Sequence, residues 1–180
     1  MIAAFGRHLE TVLELLKHGA SVDIADKDVW TPLMKAAVKG TLETVQELQS
    51  HGASVDVADK DGLTTLRKAI LDGIILIFRE LLNRGAIVDT ADQGALTPLI
   101  IAVSECREEF LLQLLNHGAK VDTTDAHVNT PLIAAASHIA RVTDEFMTEL
   151  FLRWEKQVYQ VSFKNIKCVQ SSFFEHSRPH

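Results

Sequence analysis

Apolar residues recur along this chain at the spacing of an α-helix, in short stretches separated by polar turns. Leu42, Val45 and Leu48 are a clear case, because steps of three residues place their side chains on one face of a helix. Just before them, Ala36 and Ala37 are small enough to let a second helix approach closely. The pattern therefore predicts pairs of helices that pack along their apolar faces.

The same pattern returns every 33 residues, and each return is marked by a threonine and a leucine on either side of one residue, usually proline. A threonine side chain can accept from the free amides at a helix start, and proline suits the first helical position. Each copy of this turn therefore predicts the start of a helix. The four copies are Thr31-Pro32-Leu33, Thr64-Thr65-Leu66, Thr97-Pro98-Leu99 and Thr130-Pro131-Leu132.

A second recurring element lies 12 residues before each of these turns and predicts the end of the preceding helix. Its glycine suits the left-handed conformation that ends a helix, and the basic residue before it faces the negative end of the helix dipole. The four copies are His18-Gly19-Ala20, His51-Gly52-Ala53, Arg84-Gly85-Ala86 and His117-Gly118-Ala119.

Together these markers resemble the ankyrin repeat family, whose repeat has a period of about 33 residues and a Thr-Pro-Leu-His signature. The resemblance implies an all-α helical solenoid, a stack of antiparallel helix pairs joined by β-hairpin fingers. The sequence departs from the signature at the position after the leucine, where it has Met34, Arg67, Ile100 and Ile133. We therefore expect inner helices that are less regular than the family norm.

The repeat register predicts an ankyrin repeat domain at residues 1–153 and a divergent tail at residues 154–180. The partial first repeat lacks a finger and a first turn, so it is either a reduced cap or the cut end of a longer array. The tail mixes strand-like and helix-like spacing, and we expect it to be partly disordered. In the last repeat, an insertion before Thr143 shifts the expected outer helix. The predicted units are a partial repeat at 1–17 and full repeats at 18–50, 51–83, 84–116 and 117–153.

Composition narrows the classes of partner and the location. The net charge is −6, and an acidic chain must overcome repulsion from phosphates, so we expect no nucleic-acid partner. The first residues lack a secretory signal, and no apolar run is long enough to cross a bilayer, so we expect no membrane insertion. Cys106 and Cys168 lie far apart without metal-like spacing, which fits a reducing compartment. We expect a monomer in the cytoplasm or the nucleus.

No motif predicts catalysis. His18, His51 and His117 are a whole repeat apart and cannot converge on one metal ion. The many aspartates of the fingers can be read as paired carboxylates for acid–base chemistry, but aspartate also favours turns by bonding its own nearby backbone. There is no glycine-rich phosphate loop. We expect no enzyme activity, no cofactor and no metal site.

The candidate partner-binding surface is the concave side of the stack, which the resemblance implies is lined by the inner helices and finger tips. Binding energy concentrates in a few aromatic and cationic anchors, which makes Trp30 the strongest candidate. One alternative is a mixed, solvated face, because acidic residues lie among the cations. Another is that Trp30 simply packs on the next finger. The candidate residues are Trp30, Lys27, Lys60, Leu63, Leu96, Lys39 and Arg67, with Lys35 and Lys68 beside them.

The resemblance implies a non-enzymatic adaptor or scaffold that binds a partner protein. The alternative is the substrate-recognition arm of a ubiquitin ligase or another multi-protein enzyme complex, which would need a recruiting box after the repeats. The tail has no recognisable box of this kind. A separate question concerns Ile74 and Leu76, which fall at outer-helix positions that are usually polar. They are either harmless exposed residues or a patch for a partner or for self-association.

Overall fold

The computed structural model describes residues 2–5 and 8–137, together with Leu152. The predictions for the outer helix of the last repeat and for the tail therefore lie outside the described residues. In the described part the chain is helical, and its helices are α1 (Ile2–Phe5), α2 (Leu9–Lys17), α3 (Pro32–Val38), α4 (Leu42–Ser50), α5 (Thr65–Leu71), α6 (Ile75–Asn83), α7 (Pro98–Ser104), α8 (Glu108–Asn116) and α9 (Pro131–Ser137).

These helices form two rows that follow the order of the chain. The inner row consists of α1, α3, α5, α7 and α9, and each of these helices packs on the next. The outer row consists of α2, α4, α6 and α8, which pack on one another in the same way. Each outer helix also packs on the inner helix that precedes it, so the repeating unit is a helix pair. The predicted all-α solenoid is confirmed.

The inner helices begin at the predicted turns. In the four inner helices from α3 onward, the threonine hydroxyl accepts a hydrogen bond from the backbone N–H three residues later, with distances of 3.3 to 3.5 Å. The capping threonines are Thr31, Thr64, Thr97 and Thr130. All four inner helices from α3 onward have seven residues, so the expected irregularity is not found. Met34, Arg67 and Ile100, which replace the signature histidine, are buried without disturbing the helices.

Each predicted finger is a tight turn rather than a pair of strands. In the described part of the chain, the only bridge between extended residues joins Ala58 and Thr64. The reason is that an aspartate side chain in each finger takes backbone N–H groups that a strand ladder would otherwise use. The fingers therefore keep a fixed shape without a sheet.

The core runs between the two rows and continues from one repeat to the next. Leu48, Leu81 and Leu114 occupy one position of successive outer helices and are buried, whereas Leu15, at the same position of α2, is 50% exposed. Each repeat thus covers part of its neighbour, as expected for a solenoid. On the outer row, Leu76 is 59% exposed. An apolar patch at Ile74 and Leu76 for a partner or for self-association stays a prediction.

The turns of the pairs α3–α4, α5–α6 and α7–α8 each contain one residue with a left-handed backbone, and that residue is not always glycine. Gly40 and Gly73 have φ angles of 71° and 70° between the inner and outer helices. Cys106 holds the same position with φ of 52°, where a side chain is strained. The cysteine therefore occupies a position that glycine holds in the two preceding repeats.

Thr65→Pro should raise the free energy of unfolding by about 0.4 to 1 kcal/mol. Thr65 is the first residue of α5, where Pro32 and Pro98 begin the neighbouring inner helices. Its side chain is buried, and its hydroxyl has no hydrogen-bond partner. Proline would remove this hydroxyl and restrict the unfolded chain. Urea unfolding measures the gain, and Thr65→Val separates loss of the hydroxyl from the effect of the ring; a less stable proline variant would contradict the assigned turn.

Gln49→Leu should stabilise the protein by about 1 to 2 kcal/mol, because a buried amide without hydrogen bonds carries its full desolvation cost. Gln49 is 8% exposed, and neither its side-chain nitrogen nor its oxygen has a partner. Leu16, Leu82 and Leu115 stand at the same position in the other copies. Thermal unfolding measures the effect. The matched control is Gln46→Leu, which removes a bond of 3.4 Å to Glu80 and should give no gain; an equal shift in both variants would refute the explanation.

Candidate functional site

Each finger is organised around one aspartate. Its Oδ1 atom accepts hydrogen bonds from the backbone N–H groups two and four residues later, at 2.8 to 3.0 Å. This is the bonding by which aspartate favours turns, so these carboxylates have a structural role in the fingers. The four residues are Asp26, Asp59, Asp92 and Asp125.

The second oxygen of the finger aspartate has an equivalent lysine partner in the first two fingers and other partners in the next two. Lys35 pairs with Asp26 at 3.2 Å, and Lys68 pairs with Asp59 at 2.6 Å. Each of these lysines lies nine residues after its aspartate. In the next repeat Ile101 stands at the lysine position, and the partner of the aspartate comes from elsewhere.

Asp92 takes its cation from the preceding repeat. The Nη2 atom of Arg67, in α5, donates to Oδ2 of Asp92 at 2.8 Å. In the last finger, the side-chain amide of Asn129 donates to Oδ2 of Asp125 at 3.1 Å. Both oxygens of each of these four aspartates therefore have a partner, and among the four only Asp92 is paired with a cation of a neighbouring repeat.

Two of these ion pairs are deeply buried. The side chains of Lys68 and Asp59 are 6% and 1% exposed, and that of Arg67 is 1% exposed. Burial alone would raise the pKa of Asp59, but the hydrogen bonds from Lys68 and from the Leu63 amide outweigh it and lower the pKa. For Asp92, burial is likewise outweighed by the hydrogen bond from Arg67, and its pKa is also lowered. Both carboxylates are therefore held as anions inside the protein.

Trp30 lies against the ammonium group of Lys68, the cation of the buried pair with Asp59. The Nζ atoms of Lys35 and Lys68 lie 4.2 and 3.9 Å from the centre of the Trp30 rings, close enough for cation–π attraction. Lys68 belongs to the next repeat, so the indole also joins two repeats. A packing role for Trp30 is therefore observed, while its contact with a partner protein stays a prediction.

A second series of aspartates joins neighbouring repeats. The carboxylates of Asp23, Asp56 and Asp89 accept the backbone N–H of the residue 31 positions later, at 3.0, 2.9 and 3.0 Å. These aspartates, like those of the fingers, are used for architecture. Within residues 2–5 and 8–137, no group of histidine, cysteine, aspartate and glutamate side chains is arranged to hold a metal ion.

A small cavity of about 50 Å³ lies beside the first helix pair. Ala3, Val12, Leu15 and Leu48 are among the residues that line it, and none of its lining residues is titratable. The cavity therefore contains no group able to transfer a proton. None of the helices in the described part is both long enough and apolar enough to span a bilayer.

A model for ankyrin repeats (3 copies) matches residues 1–92, which is just over half of the chain. The chain belongs to the ankyrin repeat family. Ankyrin repeats are generally protein–protein interaction modules. The match ends within the third finger, and α7, α8 and α9 continue the same order of ankyrin helices beyond it. No curated protein matches the chain.

The candidate surface predicted from the sequence can be traced through the described residues. We call it the groove and define it by the finger bases Trp30, Leu63, Leu96 and Asn129 and by the finger-facing sides of α3, α5 and α7. The four finger bases are all partly exposed. The register therefore brings three of the predicted site residues into one row.

The predicted cations are distributed differently from the expectation. Arg67 and Lys68 were expected in the open groove, and this is corrected because both are buried in ion pairs with finger aspartates. Lys27 and Lys60 are exposed at the finger tips. Lys60 donates to Asp28 at 2.9 Å, and this hydrogen bond raises the pKa of the lysine. Lys39 is half-buried at the end of α3.

Leu71 and Glu105 were not predicted from the sequence as part of this surface, whereas Asp72 is one of the acidic residues expected among the cations. Leu71 is 40% exposed, and Asp72 and Glu105 are exposed at the ends of α5 and α7. Leu71 and Asp72 follow Lys68 by three and four residues, so they share its face of the helix, and Lys68 contacts the finger base Trp30. The available signal was the register, because Asp72 and Glu105 are equivalent to Lys39.

Proposed function

We propose that this ankyrin chain is a non-enzymatic adaptor or scaffold that binds a partner protein through the groove and the finger tips. The observation that supports this most is the row of partly exposed apolar residues Trp30, Leu63 and Leu96 at equivalent positions. Aromatic and apolar groups in such a row are suited to anchor a partner, because binding energy concentrates in a few buried contacts.

The fingers that carry this row are held in place before any partner arrives. The backbone of each finger is fixed by its aspartate, and neighbouring fingers are joined to one another. Lys60 N donates to Asp28 O at 3.3 Å, Gln93 donates to Lys60 O at 3.1 Å, and Ala126 N donates to Gly94 O at 3.1 Å. A surface that is already ordered loses less conformational entropy on binding, which favours affinity.

The proposal includes an intracellular monomer in the cytoplasm or the nucleus. The thiol of Cys106 forms no disulfide, which fits a reducing compartment. The net charge of −6 disfavours a nucleic-acid partner. The buried ion pairs of Arg67 and Lys68 support this further, because their charges are neutralised and are not offered to phosphates.

The experiment compares proteins captured from cell extract by the wild-type chain and by two variants, with quantification by mass spectrometry. The groove variant carries Leu63→Ala and Leu96→Ala, and the control carries Leu76→Ala on the outer row. Trp30 stays unchanged, because its removal would also expose the Lys68–Asp59 pair. We expect the groove variant to lose captured partners by about tenfold or more, since truncation at a hot spot costs about 2 kcal/mol. Equal capture by the wild type and the groove variant, with similar melting temperatures, would refute binding through the groove.

A further inference from the structure

The charge of the groove changes sign along the stack. Three equivalent positions at the ends of α3, α5 and α7 hold Lys39, Asp72 and Glu105. The first two finger tips carry the same pair, Lys27-Asp28 and Lys60-Asp61, but Lys60 bonds Asp28 at 2.9 Å and leaves Lys27 and Asp61 as the exposed charges outside this ion pair. Among the ion pairs of the described residues, none includes Asp72 or Glu105. Asp72 and Glu105 therefore form an acidic edge that makes no ion pair in the described residues, and the nearby Arg107 guanidinium donates instead to the Leu71 carbonyl at 3.3 Å.

An apolar strip runs beside this acidic edge. Leu71 precedes Asp72 and is 40% exposed, and the finger bases Leu63 and Leu96 are partly exposed opposite the inner helices. A partner that covers this part of the groove must therefore offer cations and apolar side chains together. An acidic segment would face like charges at both Asp72 and Glu105, which disfavours it.

The distance between repeats restricts the conformation of such a partner. Packed helices lie about 8 to 10 Å apart, so equivalent groups on α5 and α7 are expected about one such step apart. A polyproline II segment has three residues per turn and rises about 3.1 Å per residue, so every third side chain returns to one face after about 9.3 Å. In a β-strand, neighbouring side chains on one face are about 6.6 Å apart. One such step is shorter than the separation of the two helices, and two steps are longer, so a strand does not match the repeat spacing.

We propose that the groove binds a proline-rich segment of a partner protein in the polyproline II conformation, with lysine or arginine at every third position. Two successive cations face Asp72 and Glu105, while apolar residues between them cover Leu63 and Leu71. This inference rests on the proposed function, because it names the partner class for the same surface.

The test uses the full chain and three labelled peptides of nine residues, with affinity measured by fluorescence anisotropy. The first peptide repeats proline, leucine and lysine in that order. The second has the same composition with its lysines at every second position, and the third carries glutamate in place of lysine. We expect the first peptide to bind about tenfold more tightly than either of the others. The second peptide cannot form both exposed charge pairs with Asp72 and Glu105, and the third replaces them with repulsion. Equal or tighter binding of the second or third peptide would overturn the proposal.

Charge reversal locates the binding site. The variant with Asp72→Lys and Glu105→Lys should prefer the glutamate peptide, and circular dichroism should show an unchanged melt. The control with Glu10→Lys and Glu43→Lys makes the same change in net charge at exposed positions of α2 and α4 and should keep the lysine preference. A reversal in the control as well would show that only net charge matters and would refute the assigned site.

The proposed function and the polyproline II inference can be refuted independently of each other. If the leucine variants lose captured partners but the wild-type chain does not prefer the lysine peptide, the groove still binds proteins and only the polyproline II inference is wrong. If the leucine variants capture partners as the wild type does, the proposed function itself is wrong, whatever the peptides show.

Discussion

Lys68→Met should lower the free energy of unfolding by about 3 to 5 kcal/mol, because it leaves the carboxylate of Asp59 buried without its cation. The carboxylate is 1% exposed, and its Oδ2 atom lies 2.6 Å from the lysine ammonium. Methionine keeps most of the volume and the contact with Trp30, so the loss reports the charge. Urea unfolding at neutral pH measures it. A change below about 1 kcal/mol would show that the pair is not a major source of stability.

The pH dependence of the same variant provides an internal control. In the wild type, the pKa of Asp59 is lowered, so its ion pair adds stability above the unfolded value near 4, and this stability is lost as the pH falls through the folded value. Without the lysine, burial should raise the pKa, and the folded variant then binds a proton more readily than the unfolded chain. The stability difference between wild type and variant should therefore shrink as the pH is lowered toward 4. A difference that is constant with pH would contradict this explanation.

Arg67→Leu should cost about 3 kcal/mol, for a related reason that involves two repeats. Arg67 is almost completely buried and provides the cation for Oδ2 of Asp92 across the repeat boundary. Its removal leaves that oxygen without a charged donor, although the amides of Gly94 and Leu96 still bond Oδ1. Differential scanning calorimetry measures the effect. An unchanged melting temperature would show that Asp92 needs no cation.

Recovering the stability lost in Arg67→Leu is a more specific test of this ion pair than measuring the loss. Ile101 stands nine residues after Asp92, the same separation that places Lys68 beside Asp59. Ile101→Lys should therefore recover much of the stability lost in Arg67→Leu, because it restores the pairing within one repeat. In the wild-type background the same substitution should destabilise, since two cations would compete for one carboxylate. A lysine that destabilises both backgrounds equally would refute the equivalence of these positions.

The sequence predicted those parts of the fold that depend on local backbone chemistry. The capping threonines, the glycines at helix ends and the turn-forming aspartates each act within a few residues, so a repeating motif is enough to place them. The row formed by Trp30, Leu63 and Leu96 followed from the same register. These features need no knowledge of how one repeat contacts the next.

The burial of Arg67 and Lys68 depends on contacts between distant residues, and for this reason it was not predicted. A basic residue on an inner helix is normally expected in solvent. Here Trp30 of one repeat covers Lys68 of the next, and Asp92 reaches Arg67 from the following finger. A cation nine residues after a finger aspartate was the available signal for Lys68. For Arg67 the only signal was the isoleucine at position 101, where a lysine is missing.

The partner of Asp92 has a consequence for changes in the length of the array. Repeat proteins gain and lose whole units by recombination, and such events are tolerated when each unit is self-contained. Loss of residues 84–116 would place Asp125 next to Arg67, although Asn129 already holds the second oxygen of that aspartate. Arg67 would then compete with the Asn129 side-chain amide for Oδ2 of Asp125, a competition that does not occur in the present chain. The second and third full repeats are therefore expected to be inherited together, as one unit of 66 residues rather than two of 33.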